Sequence, residues 1–245
     1  MIGVLAVALA LSGCAAKPVA AQPLRVCTTG DYRPFTFRDP AGQWSGMDVE
    51  MAHDLAQNLG RTAQFVPTSW STLMDDLGRI CDIAMGGITV TPDRADKALF
   101  STPYLSDGKA AMIRCADAEK YRSLADIDRL GVRVIVNPGG TNEQFDRAHL
   151  RRATIVEYPD NNTIFEQLVS GGADVMITDG SEIRWQRTQH RELCGIGTGR
   201  PFTSAQKAYL LPRSAGALLP RVDEWLAGIR RNGRYAEISH RWLGD

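Results

Sequence analysis

Residues 86–104 read GGITVTPDRADKALFSTPY and follow the apolar run 83–85. The pattern predicts a strand that ends in two glycines and turns into a helix. Thr91 suits the N-cap, Pro92 the first helical position, and Asp93 the positive end of the helix dipole. Arg94 then falls in the first turn. Hydroxyls, bare glycine backbone and a guanidinium would meet at a strand's carboxyl end, where open α/β sheets hold ligands. A guanidinium grips a carboxylate in bidentate fashion. Thr89, Thr91 and Arg94 are therefore candidate anion ligands, against the plainer reading of a surface Arg paired with Asp93 or Asp96.

Working outward, residues 24–29 read as a first strand, and Gly30-Asp31-Tyr32-Arg33-Pro34-Phe35 as a turn whose aromatics can face a ligand. Met47, Met51, Leu55 and Leu59 recur at four-residue steps and predict a helix stopped by Gly60. Residues 64–67 form a second strand, and Trp70 falls in the loop after it, as a ligand wall or a packing residue. Downstream, 110–114 is a strand leaving this unit and 132–136 a new apolar strand. Asn137-Pro138-Gly139-Gly140-Thr141-Asn142-Glu143-Gln144 then allows close backbone approach and fits a capping box between Thr141 and Gln144. Free N–H groups at that helix start make Gly140, Thr141 and Asn142 a second candidate anion site. The Gly-Lys-Ser/Thr ending of a P-loop is absent.

The chain also repeats itself. Leu24-Arg25-Val26 is echoed by Val132-Arg133-Val134, and Cys81-Asp82-Ile83 by Ala173-Asp174-Val175. Two similar βαβ lobes around a shared cleft follow, residues 24–112 with 208–245 and residues 113–207, joined by a two-strand hinge near Met112 and Ala208.

The segments Gly87 to Arg94 and Phe100-Ser101-Thr102-Pro103-Tyr104 resemble those of the type II periplasmic solute-binding proteins, the amino-acid-binding family 3 in particular. The resemblance implies that α/β fold, a carboxylate clamp at Thr89, Thr91 and Arg94, and a second contact at Gly140-Thr141. It also puts Asp179 where amino-acid receptors hold the ligand's ammonium. Glu182 is additional: a carboxylate three residues on, at the start of a helix aimed at the same cleft. A buried carboxyl near another negative charge has a raised pKa and can protonate a leaving hydroxyl. Residues 27–32, 68–70, 133–143, 159–167, 174–182 and 207–213 resemble the periplasmic cyclohexadienyl dehydratases, enzymes built on this fold. That resemblance implies general acid catalysis by Glu182 on prephenate or L-arogenate, with Asp31, Tyr32, Trp70 and Asp179 around the substrate and no cofactor. The competing expectation is a lipid-anchored amino-acid receptor of an ABC importer, which leaves Glu182 without a task.

Lys and Arg number 28 against 28 Asp and Glu, which gives no argument for nucleic acid or a polybasic membrane surface. Residues 1–13 read as an export signal, and Leu11-Ser12-Gly13-Cys14 resembles a lipobox, which would make Cys14 the lipidated residue of a periplasmic protein on a tether at 14–23. A lipid at Cys14 would be the one link to a membrane. His53, His149, His190 and His240 lack metal-ligand spacing, so no metal is expected. Export permits disulfides. The expectation is a single Cys115–Cys194 bond, with Cys27 and Cys81 equally readable as reduced core residues.

Overall fold

A computed structural model describes residues 22–244; the segment expected to be an export signal, Cys14 and most of the expected tether lie outside them. Two five-stranded sheets carry the chain. In the first, the order is Ala63–Pro67, Leu24–Thr28, Ile83–Ala84, Leu210–Pro212 and Ala98–Phe100. In the second it is Thr154–Glu157, Arg133–Val136, Val175–Asp179, Lys109–Arg114 and Leu193–Ile196. The first three strands of each are parallel, and the fourth runs antiparallel to its neighbours.

The repeat seen in the sequence extends to side chains. Arg25 pairs with Asp82 at 2.6 Å across adjacent strands of one lobe, and Arg133 with Asp174 at 2.9 Å in the other. In both places the carboxylate also accepts the arginine's own N–H, at 3.0 Å. The same arginine–aspartate pair therefore fixes the register between the second and third strands of each sheet.

Between the sheets, Leu105–Asp107 and Ala205–Lys207 pair antiparallel as the hinge. The first crossing comes earlier than the sequence reading placed it. Lys109 to Ile113 pair with the second sheet along Val175–Asp179, so residues 109–112 belong with that lobe. An apolar run signals burial without saying which sheet it joins. The helix Met47–Asn58 buries Met47, Met51, Ala52 and Leu55 in the first core, where the closing helices Leu219–Arg231 and Arg234–Leu243 add Val222, Trp225, Leu226 and Ile238.

Two disulfides are formed, Cys115–Cys194 with Cα atoms 4.8 Å apart and Cys27–Cys81 at 5.6 Å. The second corrects the expectation of a single bond. Cys27 lies on the strand Leu24–Thr28 and Cys81 two residues before the neighbouring strand Ile83–Ala84, and an apolar half-cystine reads like a core residue until its partner's position is known. Each bond closes a long loop, of 54 and 79 residues, which in the chain-entropy account is worth about 4 kcal/mol apiece. All four thiols should therefore resist alkylation until the unfolded chain is reduced, and Cys27→Ser should lower the thermal midpoint by roughly 5–15 °C. Alkylation of Cys27 and Cys81 without reductant, read by peptide mass, would contradict this.

Candidate active site

All six parallel strands end at one cleft. After Leu24–Thr28 comes Tyr32, after Ala63–Pro67 Trp70, and after Ile83–Ala84 Gly87, Thr89 and Arg94. From the second sheet come Asn137, Gly140, Thr141 and Asn142 after Arg133–Val136, Asn161 after Thr154–Glu157, and Asp179 at the tip of Val175–Asp179. Lys207 completes the wall from the hinge, around about 310 Å³ of empty space. The lobes approach closely here: a Cβ at Gly139, where φ is +88°, would lie 2.8 Å from Ser71 N of the opposite lobe. Asn161 Nδ2 donates across the cleft to Asp31 O at 2.8 Å.

Arg94 is 9 % exposed, and its guanidinium donates from Nη1 to Thr89 O at 2.9 Å. Among the described residues it has no carboxylate partner within ion-pair distance, so it faces the cleft available for an anion. Tyr32 and Trp70 meet edge to face at 5.5 Å and form an aromatic wall. Thr91 is not on the wall. Its Oγ1 accepts from the Arg94 N–H at 3.4 Å and caps the helix Pro92–Ala95, so the hydroxyl expected to hold substrate instead aims the arginine.

The electrostatic centre is Asp179. Lys109 Nζ lies 2.8 Å from Oδ1 and Lys207 Nζ 2.5 Å from Oδ2, all three groups being buried. The Tyr32 hydroxyl donates to the same Oδ2. Burial would push the Asp179 carboxyl up, but the two ammonium groups outweigh it and hold the group well below the usual carboxylate range. Lys109 also reaches Thr141 Oγ1 at 3.0 Å and Asn142 Oδ1 at 2.5 Å, and Lys207 reaches Thr89 Oγ1 at 2.9 Å. Neither lysine was singled out in the sequence reading. The available signal was a lysine at the edge of an apolar run, in Gly108-Lys109-Ala110-Ala111-Met112 and Lys207-Ala208-Tyr209-Leu210-Leu211.

Glu182 and Asp31 stand behind the wall rather than on it. Glu182, on the helix Gly180–Gln189, is 1 % exposed. A directed chain leads to it: Lys109 donates to Asn142 Oδ1, Asn142 Nδ2 to Thr178 Oγ1 at 3.1 Å, and Thr178 to Glu182 Oε2 at 2.5 Å. Oε1 has no hydrogen-bond partner among the described residues and is the oxygen left to carry a proton. Burial pushes Glu182 up to about 8, the Thr178 hydroxyl pulling the other way and the Asp179 charge adding to the rise. At neutral pH this carboxyl is mostly protonated. Burial likewise raises Asp31, opposed by the Thr29 and Trp70 side chains. The sequence suggests that both acids face the cleft, but neither the helix that carries Glu182 nor the short strand that carries Asp31 fixes a side chain's direction beyond the packing of its neighbours.

A second buried acid lies near this chain. Asp146, on the helix Thr141–His149, is fully buried with neither oxygen hydrogen-bonded among the described residues. Burial pushes it up to about 8, against the pull of Lys109. A carboxyl raised in the folded state favours folding fully below its unfolded pKa, and that contribution is lost as pH rises through the folded value. Stability should therefore fall between about pH 4 and 8, and Asp146→Asn should flatten its share, of order 2–4 kcal/mol. Thermal melts of both forms at pH 5 and pH 8 measure this; an unchanged pH slope would contradict it.

These features define a hinged two-lobe protein with a cation-lined cleft between the lobes. The chain belongs to family 3 of the bacterial extracellular solute-binding proteins, whose pattern matches residues 24–245. Cyclohexadienyl dehydratase of Pseudomonas aeruginosa is 48% identical over 221 residues, covering 90% of this chain and 82% of its own. The L-cystine-binding protein of Escherichia coli is 26% identical over 100% of this chain and 94% of its own. Among solved structures, an ancestral amino-acid-binding protein described as a precursor of cyclohexadienyl dehydratase superposes with a TM-score of 0.83 at 33% identity, covering 90% of this chain and 95% of its own. An ancestral cyclohexadienyl dehydratase is 48% identical, covering 91% and 93%, with a TM-score of 0.55.

Proposed function

We propose that the cleft catalyses the decarboxylating dehydration of prephenate to phenylpyruvate, and of L-arogenate to phenylalanine, so that the protein is a carbon–oxygen lyase. The observation that carries this reading is Glu182, a buried carboxyl joined to the cleft wall through Thr178 and Asn142, whose burial favours its protonated form. A transport receptor has no use for such a proton. The 48% identity to a dehydratase over most of the chain supports the same reading.

Prephenate is a dianion, and the site carries an excess of cations. Lys109 and Lys207 share Asp179, Arg94 has no carboxylate partner among the described residues, and burial favours the neutral form of Glu182. Arg94 with Thr89 holds one carboxylate, and Gly140, Thr141 and Asn142 hold the other at a helix start that favours anions. Tyr32 and Trp70 flank the ring. Glu182 turns Oε1 into the cleft and protonates the 4-hydroxyl. The C–O bond breaks, the ring carboxylate leaves as CO₂, and its electron pair completes the aromatic ring. The protonated hydroxyl departs as water, and solvent returns a proton to Glu182. Positioning and general acid catalysis suffice because aromatisation drives the step.

In an amino-acid receptor Asp179 would take the ligand's ammonium; here Lys109 and Lys207 already occupy it. Calorimetry on a Glu182→Gln variant, expected to consume the substrate far more slowly, tests the reading. Prephenate should bind saturably and L-arginine or L-glutamine should give no heat. Tight amino-acid binding without prephenate binding would make this a receptor. The reading includes a periplasmic location and a lipid at Cys14, which mass measurement of the exported protein checks.

A further inference from the structure

Asp48 sits in the first turn of the helix Met47–Asn58 and is 1 % exposed. Three donors converge on its carboxylate. The Gly87 N–H at 2.6 Å and the Tyr104 hydroxyl at 2.7 Å reach Oδ2, and the Tyr209 hydroxyl reaches Oδ1 at 3.1 Å. Each donor leads to a different part of the cleft. Gly87 lines the cavity two residues before Thr89, whose carbonyl accepts from Arg94 and whose hydroxyl accepts from Lys207. Its φ is +65°, and a Cβ there would fall 2.5 Å from the Phe35 ring, so the amide reaches Asp48 through a conformation that suits glycine.

The tyrosines lead to the hinge. Tyr104 directly precedes Leu105–Asp107, and Tyr209 follows Ala205–Lys207 by two residues. Their rings stack at 4.7 Å, and the Tyr104 N–H donates to Lys207 O at 2.9 Å. One carboxylate thus ties together the first helix, the anion loop and both strands that cross between the lobes.

We infer that Asp48 is a positioning residue for substrate binding: it holds the loop from Gly87 to Arg94 and the hinge strand bearing Lys207 in one arrangement, so that Arg94 and Lys207 meet the same dianion. Burial raises the Asp48 carboxyl to about 6, with Tyr104, Gly87 and Tyr209 opposing the rise. It is therefore mainly ionised at neutral pH, as an acceptor of three donors should be. A buried polar residue serving the core alone would support folding without setting the cleft; the position of all three donors at the cleft loop and hinge argues for more.

This role rests on the dehydratase reading for its assay. Tyr104→Phe and Tyr209→Phe each remove one donor and keep the stacked ring, so both should fold, and Asp48→Asn keeps the shape while turning one acceptor into a donor. The anion loop and Lys207 belong to binding, whereas the proton donor sits on the other lobe. KM for prephenate should therefore rise roughly tenfold in each tyrosine variant and further in Asp48→Asn, with kcat changed much less. A wild-type KM in folded Tyr104→Phe and Tyr209→Phe, with only the thermal midpoint lowered, would overturn the positioning role and leave the dehydratase reading intact. Absence of prephenate turnover in the wild type would overturn both.

Discussion

Glu182→Gln should lower kcat for prephenate by about 10²-fold or more, the range general acids contribute, while KM changes little. Glutamine keeps the volume, and its carbonyl can still accept from the Thr178 hydroxyl that meets Glu182 Oε2. What it lacks is a proton to give. The same group sets the pH profile. Burial pushes Glu182 up to about 8, and the acid form is the active one, so kcat should fall as pH rises through that value and hold steady on its acidic side. The linkage has the same sign. The neutral carboxyl favours folding below the unfolded pKa, and the contribution is lost as pH approaches 8 and passes it. Glu182→Gln should thus slow turnover and also flatten part of the stability loss between about pH 5 and 8. An acid-quenched phenylpyruvate assay from pH 6 to 9 reads the first effect, and thermal melts read the second. Full turnover in the variant would remove Glu182 from the chemistry.

Asp179→Asn should have the largest effect on stability. Lys109 at 2.8 Å and Lys207 at 2.5 Å share this carboxylate, and all three groups are buried. Removing the anion leaves two buried ammonium groups facing each other. Breaking a buried pair by deleting one partner costs about 3–5 kcal/mol, or roughly 6–20 °C of thermal midpoint for a chain of this size. The ligand then gains a second role. A dianion in the cleft supplies the missing negative charge, so prephenate should raise the midpoint of Asp179→Asn/Glu182→Gln more than that of Glu182→Gln alone. An Asp179→Asn protein as stable as the wild type would mean that the lysines do not depend on this carboxylate.

Much of the fold was legible because it is written twice. The Leu-Arg-Val and Val-Arg-Val strands and their Asp-Ile and Asp-Val partners gave two lobes, and the same arginine–aspartate pairs hold both. The chain between the lobes was harder. Alanine and methionine in Lys109–Arg114 carry a burial signal that suits either sheet, and only strand pairing assigns it. Within the site, residues that act through backbone position or a loop were readable: Arg94, Gly140, Thr141 and Asn142 all line the cavity, as do Tyr32, Trp70, Thr89 and Asp179. Thr91 satisfied two readings at once, and capping took its hydroxyl. Lys109 and Lys207 escaped because a lysine reads as surface until its buried partner is known, and Asp179 comes from distant sequence. Asp48 escaped for the same reason, its donors coming from positions 87, 104 and 209.

The most direct measurement is release of phenylpyruvate from prephenate by residues 22–245, corrected for spontaneous aromatisation and run beside Glu182→Gln. Saturable turnover in the wild type that collapses in the variant is the predicted result. No turnover above the spontaneous rate, together with saturable binding of an amino acid, would contradict the account and return the cleft to transport.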